Sequence, residues 1–331
     1  MLENGNGSAA TGERLMTKNN PNYRDRPDRA IPPGRLLATH LAAREMSQAE
    51  CARRCGRSPK LISEIIAGKA PIQPETALQL ERVLGLRSSV WLGIESDYRL
   101  LLARQAEAEH AEGERDWLDS FPLQAMLERR VIEERGSTAE TLDDLLAFFG
   151  IGSIAAWESW HGSLRIETRR SSGPAIDRMA LAAWLRLGDI AADGIRCDEY
   201  DGTAFREAMR VLARPIRRSG AGSIDRATEL CQAAGVVLVL VAPLPGAAVV
   251  AAARWITPRK AVIQLAGQES DGDRFWFSLF HSAAHLLLHS KKRLFVEQDT
   301  APGEDAGAET ANATDIEAEA DAWAANLLSP K

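Results

Sequence analysis

Seven of the 12 valines of this chain lie between residues 235 and 265, and that distribution limits the folds that the chain can adopt. From residue 31 to about residue 105, apolar residues repeat every three or four positions between glycine and proline breaks, which predicts short helices. Three apolar, valine-rich runs follow position 234 and predict three strands: GVVLVLVAPLPG, AVVAAARWI and KAVIQLA. We therefore expect a mainly α protein with a small β-sheet.

Helices are predicted on both sides of the strands. Residues 121–150 contain two helical segments, and Ser137 or Thr138 can cap the second of them before Glu140. The segment RFWFSLFHSAAHLLLH is long and apolar enough to form a buried helix, and DIEAEADAWAANLL forms a last helix that Pro330 ends. Two further helices are expected at 177–193 and 203–213.

Length and cysteine content restrict the class of protein. One hydrophobic core rarely organises more than about 250 residues, so 331 residues predict two or more domains. Four cysteines without a CxxC pair are too sparse for a disulfide framework, and reduced thiols are expected. The chain begins without the apolar core of a signal peptide, and no apolar run approaches the roughly 18 residues of a membrane helix. We expect a cytoplasmic protein with no membrane partner.

Residues 46–69, MSQAECARRCGRSPKLISEIIAGK, have the spacing of a helix-turn-helix motif. Ser47 can cap a first helix, Gly56 supplies the turn, and Ser58 caps a second helix that starts with proline. The isoleucines of the second helix share one face and leave small or polar side chains on the other: Lys60, Ser63, Glu64 and Ala67. A face of this kind can enter the major groove of DNA.

The local charge favours contact with nucleic acid, although the charge of the whole chain does not. The 40 Lys and Arg residues are outnumbered by 46 Asp and Glu, so the formal net charge is −6. Between positions 53 and 69, Glu64 is the only acid, and a charge of +4 results from its basic neighbours: Arg53, Arg54, Arg57, Lys60 and Lys69. A helical hairpin with a solvated basic face is the alternative that this pattern leaves open.

The same region resembles the HigA-type antitoxins of the XRE/Cro repressor-like fold. The similar segments run from IPPGRLLATHL through SQAECARR and SPKLISEIIAGKAPIQPETALQLERVLG to VWLGIESDYRLLLA. The resemblance implies five residues in contact with DNA: Gln48, Ser58, Lys60, Ser63 and, on the phosphate backbone, Lys69. It also implies a homodimer on palindromic operator DNA and a RelE/HigB-like ribonuclease toxin as partner.

Three histidines, His281, His285 and His289, recur at every fourth position of one predicted helix, and all three project from nearly one face. Two imidazoles one turn apart can chelate one metal ion, as in HExxH metallopeptidases, where the glutamate between them is the general base. Here Ser282 occupies that position, and a serine hydroxyl cannot take the proton of water near neutral pH. Packed, hydrogen-bonded histidines are the alternative interpretation.

The segments FWFSLFHSAAHLLLHSKKRLF and EAEADAWAANLLSP together resemble the ImmA/IrrE group of minimal zincins. The resemblance implies one zinc ion bound by His281, His285 and Glu319, with Glu317 as the fallback for the carboxylate. Because Ser282 replaces the base and the chain stops at Lys331 directly after LLSP, we expect an incomplete domain that binds metal without hydrolysing peptides.

These features predict four segments and one leading function. A disordered tail (1–30) is followed by an all-α helix-turn-helix domain (31–105), a helical connecting region (106–225) and a truncated, α+β minimal-zincin-like domain (226–331). The leading prediction is a DNA-binding antitoxin and autorepressor with a degenerate peptidase-like domain. An active zinc metallopeptidase that cleaves a regulator and a phage-type repressor without a toxin are the alternatives.

Overall fold

A computed structural model describes residues 31–162, 166–169, 176–219, 223–267, 272–298 and 311–329. The described residues divide into two compact units, 31–114 and 115–329. The expected tail, 1–30, lies outside the described residues. Among the helices of this part of the chain, none combines the length and the hydropathy that crossing a membrane requires.

The first unit is built of short helices, as the apolar periodicity predicts. It contains α1 (Pro33–Ala42), α2 (Gln48–Cys55), α3 (Pro59–Ile66), α4 (Pro74–Leu84) and α5 (Ser88–Ala111). Their apolar faces meet in one core, in which Leu37, Ile62 and Trp91 are fully buried. Most of the stability of such short helices comes from this shared core, since isolated helices of this length are marginal in water.

Helix α5 is longer than the sequence pattern indicates. It continues to Ala111, beyond the apolar periodicity that ends at about residue 105, and a single 3-10 turn (Glu112–Glu114) follows. Alanine and glutamate are strong helix formers, and the first glycine after Gly93 is Gly113. The first residues of the predicted connecting region (106–225) complete α5, and the described residues from 115 onward belong to the second unit.

Seven helices precede most of the sheet in the second unit. They are α6 (Arg115–Asp119), α7 (Leu123–Glu128), α8 (Thr138–Phe149), α9 (Ile154–Gly162), α10 (Arg178–Asp193), α11 (Gly202–Ser219) and α12 (Ile224–Gln232). Of the two caps proposed for α8, Ser137 is the one observed, because its hydroxyl accepts a hydrogen bond from the Glu140 N–H. Aromatic side chains of α6, α8 and α9 pack together, with Trp117 edge-on to Trp157.

The sheet has five strands: β1 (Ile166–Arg169), β2 (Val236–Leu240), β3 (Val249–Thr257), β4 (Lys260–Leu265) and β5 (Leu294–Gln298). Their spatial order is β1-β5-β3-β4-β2, and the outer pairs are parallel while β3 runs antiparallel to both of its neighbours. The three predicted strands are confirmed as β2, β3 and β4. Strands β1 and β5 were not predicted, because IETR lacks an apolar run and LFVEQ is short and half polar.

Helices cover both faces of the sheet. Helix α10 packs on one face, where Trp184 lies over buried strand residues, and helices α11 to α14 form the other layer. That layer includes α13 (Asp273–Leu288) and α14 (Ala311–Leu328). Strands buried on both faces are expected to be continuously apolar, and β2 and β4 follow this rule. The fold class, mainly helical with a small mixed sheet and an N-terminal helix-turn-helix unit, agrees with the prediction.

One glycine sets the distance between α1 and α3. Gly34 is buried in α1, and a Cβ atom added to it would lie 2.1 Å from the Ile65 carbonyl oxygen and 2.6 Å from the Ile66 Cα. Because these neighbours are backbone atoms, they cannot move aside without displacing α3. The position of α3 in the first unit therefore depends on the missing side chain of residue 34.

We predict that Gly34→Ala lowers the free energy of unfolding of the first unit by about 1–3 kcal/mol or more, as overpacking does. Gly93→Ala is the matched control, since Gly93 lies in α5 with no atom within 4 Å of an added Cβ, and alanine should stabilise that helix by about 1 kcal/mol. Thermal and denaturant unfolding measure both changes. Equal stability of Gly34→Ala and the wild type would contradict the prediction.

Candidate functional site

The helix-turn-helix is held by three local devices that the sequence predicts. The Ser47 hydroxyl accepts a hydrogen bond from the Glu50 N–H at 3.1 Å and caps α2. Gly56 ends α2 with φ of +63°, a left-handed conformation that glycine adopts without steric cost. The Ser58 hydroxyl accepts from the Leu61 N–H at 3.1 Å, so α3 begins at a fixed residue.

Helix α3 has one buried and one exposed face. Ile62 and Ile65 are buried in the core of the first unit, whereas Lys60 and Ser63 are exposed, as is Ala67 just after the helix. All five residues that the resemblance places on DNA are exposed: Gln48, Ser58, Lys60, Ser63 and Lys69. Ser58 differs from the others, because its hydroxyl is engaged as the cap of α3.

Three cations of the basic stretch 53–69 lie close to acidic side chains. Glu50 accepts hydrogen bonds from both Arg53 and Arg54, and these hydrogen bonds and charges lower the pKa of its carboxyl group. Glu50 stands outside the stretch that gives the charge of +4, and it neutralises part of that charge. The Nζ atom of Lys60 lies 3.8 Å from Oε1 of Glu64, and the Lys60 side chain remains exposed.

Glu95 is a buried acid in α5 that the sequence pattern gave no reason to select. Its carboxylate accepts a hydrogen bond from the Ile72 N–H at 2.9 Å and pairs with Arg99 at 2.7 Å. Ile72 belongs to the segment between α3 and α4, so this contact ties the chain that leaves α3 to the longest helix of the unit. An acid in mid-helix has no sequence signal that distinguishes it from a solvated one.

A second group of functional side chains lies where α13 packs against α14. The Nε2 atoms of His281 and His285 are 2.9 Å apart, and Glu317 Oε2 lies 3.1 Å from the first and 3.5 Å from the second. Both histidines are buried, and Glu317 is half-buried. Zinc ligands at 2.0–2.1 Å in a tetrahedron are separated by about 3.3 Å, so these three atoms fit one ion. We call His281, His285 and Glu317 the histidine site.

The structure brings Glu317, and not Glu319, to the two histidines. Glu319 is exposed, and its Oε2 lies 3.3 Å from Nε2 of His289. Successive residues of a helix are rotated by about 100°, so positions 317 and 319 point in nearly opposite directions. The face that contains Glu317 continues through Asp321 and the fully buried Ala320 and Ala324. On this geometry Glu317, the alternative carboxylate of the sequence analysis, lies beside the two histidines, whereas Glu319 lies beside His289.

The outer ring nitrogens of both histidines are also engaged. His281 Nδ1 lies 2.9 Å from Asp321 Oδ1, and His285 Nδ1 lies 2.9 Å from His289 Nδ1. Metal-binding histidines usually hydrogen-bond through the second nitrogen, which fixes the ring and the tautomer. The His285 ring is also stacked on Phe295 of β5, with centroids 4.1 Å apart. Both Nε2 atoms are therefore held toward one point.

The charges of the histidine site are strongly coupled. Burial alone would lower the pKa of His281, but its hydrogen bonds to Asp321 and Glu317 outweigh burial and raise the pKa to about 9. Burial acts to raise the pKa of Glu317, and the two histidines instead lower it to about 2. Burial lowers the pKa of His285. Without metal, a protonated His281 therefore pairs with the carboxylates of Glu317 and Asp321.

Ser282, at the position of the general base, is buried and brings no carboxylate. A carboxylate does approach from the sheet, because Glu297 of β5 accepts a hydrogen bond from the Ser278 hydroxyl at 3.2 Å. The charge of Glu297 also contributes to raising the pKa of His281. Sequence reasoning missed Glu297 because β5 was not predicted, and a strand pattern in LFVEQ is the only signal that could have revealed it.

These features of the first unit define a helix-turn-helix protein of the DNA-binding type. The family model for Helix-turn-helix matches residues 39–92. The HTH-type transcriptional regulator YddM of Escherichia coli K12, itself uncharacterized, is 32% identical over 77 residues, which cover 23% of this chain and 77% of YddM. The chain belongs to the family of HTH-type transcriptional regulators.

Solved structures also match the chain over a limited part. An addiction module antidote protein of the HigA family from Coxiella burnetii is 28% identical, with coverage of 26% of this chain and 95% of that protein and a TM-score of 0.24. The Pseudomonas aeruginosa antitoxin HigA, solved with the higBA promoter, gives the same identity, coverage and TM-score.

Proposed function

We propose that this transcriptional regulator is a DNA-binding antitoxin that represses its own promoter, and that its second unit holds a metal ion in a degenerate, minimal-zincin-like peptidase site. The observation that carries the first part is the exposed face of α3. It is fixed by the Ser58 cap, the Gly56 turn and the close contact with Gly34. Family membership as an HTH-type regulator supports the same function.

The residues of this face suit the major groove. Ser63 and Ala67 are short, so the backbone of α3 can approach the bases, and a serine hydroxyl can donate to or accept from a base edge. Lys60 and Lys69 extend from the start and the end of this segment, where they can neutralise phosphates. Gln48, at the first position of α2, is exposed and can reach the DNA backbone or a base. A palindromic operator would engage two copies of the chain as a homodimer.

We predict that Lys60→Ala weakens binding to the chain's own promoter by about 1–3 kcal/mol if Lys60 contacts a base, or reduces the slope of log affinity against log salt by about 1 if Lys60 contacts a phosphate. Lys69→Ala should reduce that slope by about 1. Lys292→Ala, an exposed lysine of the second unit, is the charge-matched control and should leave both values unchanged. Gel shifts and fluorescence anisotropy at several salt concentrations measure them. No retardation of the promoter at low salt would refute operator binding.

The resemblance to HigA-type antitoxins supports a RelE/HigB-like ribonuclease toxin as partner. Such a toxin is basic, and exposed acidic residues at the end of the first unit provide a complementary charge: Glu107, Glu109, Glu112 and Glu114. Charge complementarity of this kind speeds association and helps to select the partner. A phage-type repressor of the same family would have no toxin to bind, so the partner distinguishes the two functions.

Co-expression with the basic ribonuclease encoded by the neighbouring gene should restore growth that the ribonuclease alone arrests. Replacing the four glutamates of 107–114 by glutamine should weaken the complex, whereas Glu75→Gln in α4, also an exposed acid, should not. Operator binding of both variants serves as the folding control. Failure of the wild-type chain to rescue growth would favour the lone repressor.

The second unit supports metal binding without peptide hydrolysis. His281, His285 and Glu317 would hold one zinc ion, which would polarise a water molecule or a carbonyl group. Peptide hydrolysis also requires a general base that takes a proton from water, and Ser282, at the position of that base, cannot accept a proton at neutral pH. The position of Glu297 favours an active metallopeptidase as the second candidate function. Its carboxylate accepts a hydrogen bond from Ser278, and its charge raises the pKa of His281 from the side of the sheet.

The purified chain should retain about one zinc ion, and His281→Ala or Glu317→Ala should abolish retention. Because the pKa of His281 is about 9 and zinc requires its neutral ring, affinity should increase with pH until about pH 9. Metal analysis after dialysis and competition with a chelator measure these effects. Absence of metal would make the histidines structural, and chelator-sensitive peptidase turnover by the unmodified chain would establish the second candidate.

A further inference from the structure

The third histidine of the repeated pattern, His289, is neither a member of the histidine site nor exposed to solvent. His289 follows the last residue of α13, and its side chain is only 7% exposed. Its backbone N–H donates to the His285 carbonyl oxygen at 3.1 Å, and its ring lies 5.5 Å from the Phe295 ring, measured between centroids. The surroundings therefore hold this ring in one place.

Both nitrogens of His289 face a defined partner. Nδ1 is 2.9 Å from Nδ1 of His285, and Nε2 is 3.3 Å from Oε2 of Glu319. Glu319 is 60% exposed, so the three side chains form a path from a buried ring to solvent. This path starts on the second histidine of the site, whereas the first histidine is held directly by the carboxylate of Asp321.

The positions of the protons along this path follow from one requirement. A metal ion at Nε2 of His285 needs the lone pair there, so the ring proton of His285 must sit on Nδ1 and be donated to His289. The accepting Nδ1 of His289 then has no proton, which places the proton of His289 on Nε2. That N–H donates to the carboxylate of Glu319. In this arrangement Nδ1 of His289 is an acceptor and Nε2 is a donor.

We propose that His289 and Glu319 are positioning residues of the metal site, which fix the tautomer and the ring orientation of His285. This inference rests on the proposed metal binding. It gives a role to the carboxylate that lies too far around α14 to join the two histidines. It also makes the two histidines of the site unequal, because the carboxylate of Asp321 orients His281, whereas the neutral ring of His289 orients His285.

A purely structural role for His289 predicts a different order of variants. The Oδ1 atom of asparagine can stand near the position of the histidine Nδ1 and accept the same hydrogen bond, but asparagine loses the apolar contact with Phe295. Leucine keeps an apolar contact and cannot accept a hydrogen bond. If His289 only fills space, His289→Leu is the milder change. If it orients His285, His289→Asn is the milder change for metal affinity.

The test uses the full chain, freed of metal, with Co²⁺ and Zn²⁺ as probes. The visible absorption of bound Co²⁺ reports the coordination geometry, and competition with a chromophoric chelator gives the Zn²⁺ affinity. We expect His289→Leu to weaken Zn²⁺ binding by about 10–100-fold and to alter the Co²⁺ spectrum. His289→Asn should bind more tightly than His289→Leu and keep the wild-type spectrum. Thermal unfolding of the metal-free variants separates affinity from folding.

The outer link is tested with Glu319→Ala against Asp315→Ala. Both residues are exposed acids of α14, one turn apart, so the two variants lose the same charge. Only Glu319→Ala should weaken Zn²⁺ binding, by less than His289→Leu does, and Glu319→Gln should recover most of the loss by accepting from His289. Equal affinities of Glu319→Ala and Asp315→Ala would remove Glu319 from the proposal.

The outcomes distinguish this inference from the function on which it rests. If the wild-type chain binds neither Co²⁺ nor Zn²⁺, the metal site fails and the inference fails with it. If the wild-type chain binds metal and His289→Leu binds equally well, or better than His289→Asn, the metal site stands and the positioning role is wrong.

Discussion

The close packing of α13 against α14 is the contact on which the histidine site depends. The two histidines lie on α13, and the acids that face them, Glu317 and Asp321, lie on α14. Alanines that are fully buried on both helices allow a short separation between the helix axes, because interaxial distance follows side-chain size. A sheet strand closes the third side, where Phe295 stacks on His285. Small residues on the helices and one aromatic ring on the strand together determine where the imidazole nitrogens and the carboxylate oxygen converge.

The two candidate sites differ in how far the sequence could predict them. The proposed DNA-binding face lies within one continuous stretch, so neighbouring residues predicted the caps at Ser47 and Ser58 and the turn at Gly56, and all three are confirmed. The pairing of Arg53 and Arg54 with Glu50 is equally local and was overlooked. The contact of Glu95 with Ile72 joins α5 to the segment between α3 and α4, and no short-range pattern indicates it.

The histidine site required knowledge of helix phase and of tertiary contact. The spacing of the histidines predicted one shared face, and the structure places their rings side by side, with His289 just beyond the end of α13. Which of Glu317 and Glu319 lies beside His281 and His285 depended on which side of α14 packs inward. The buried Ala320 and Ala324 carry that information, and acidic residues on either side of them hide it in the sequence. The strand residues beside the histidines, Phe295 and Glu297, were missed because they lie on β5, which was not predicted. The polar half of β5 resembles a loop.

The order of strands in the sheet has a consequence for the time at which each part of the chain becomes functional during synthesis. The first unit uses contacts within residues 31–114 and can fold as soon as that stretch has left the ribosome. In the second unit, Ile166 of β1 pairs with Leu294 of β5, so the edge of the sheet has no partner until much later. A nascent chain would carry a finished helix-turn-helix before the helices of the histidine site had formed, and its open β-sheet would need protection from aggregation during that interval.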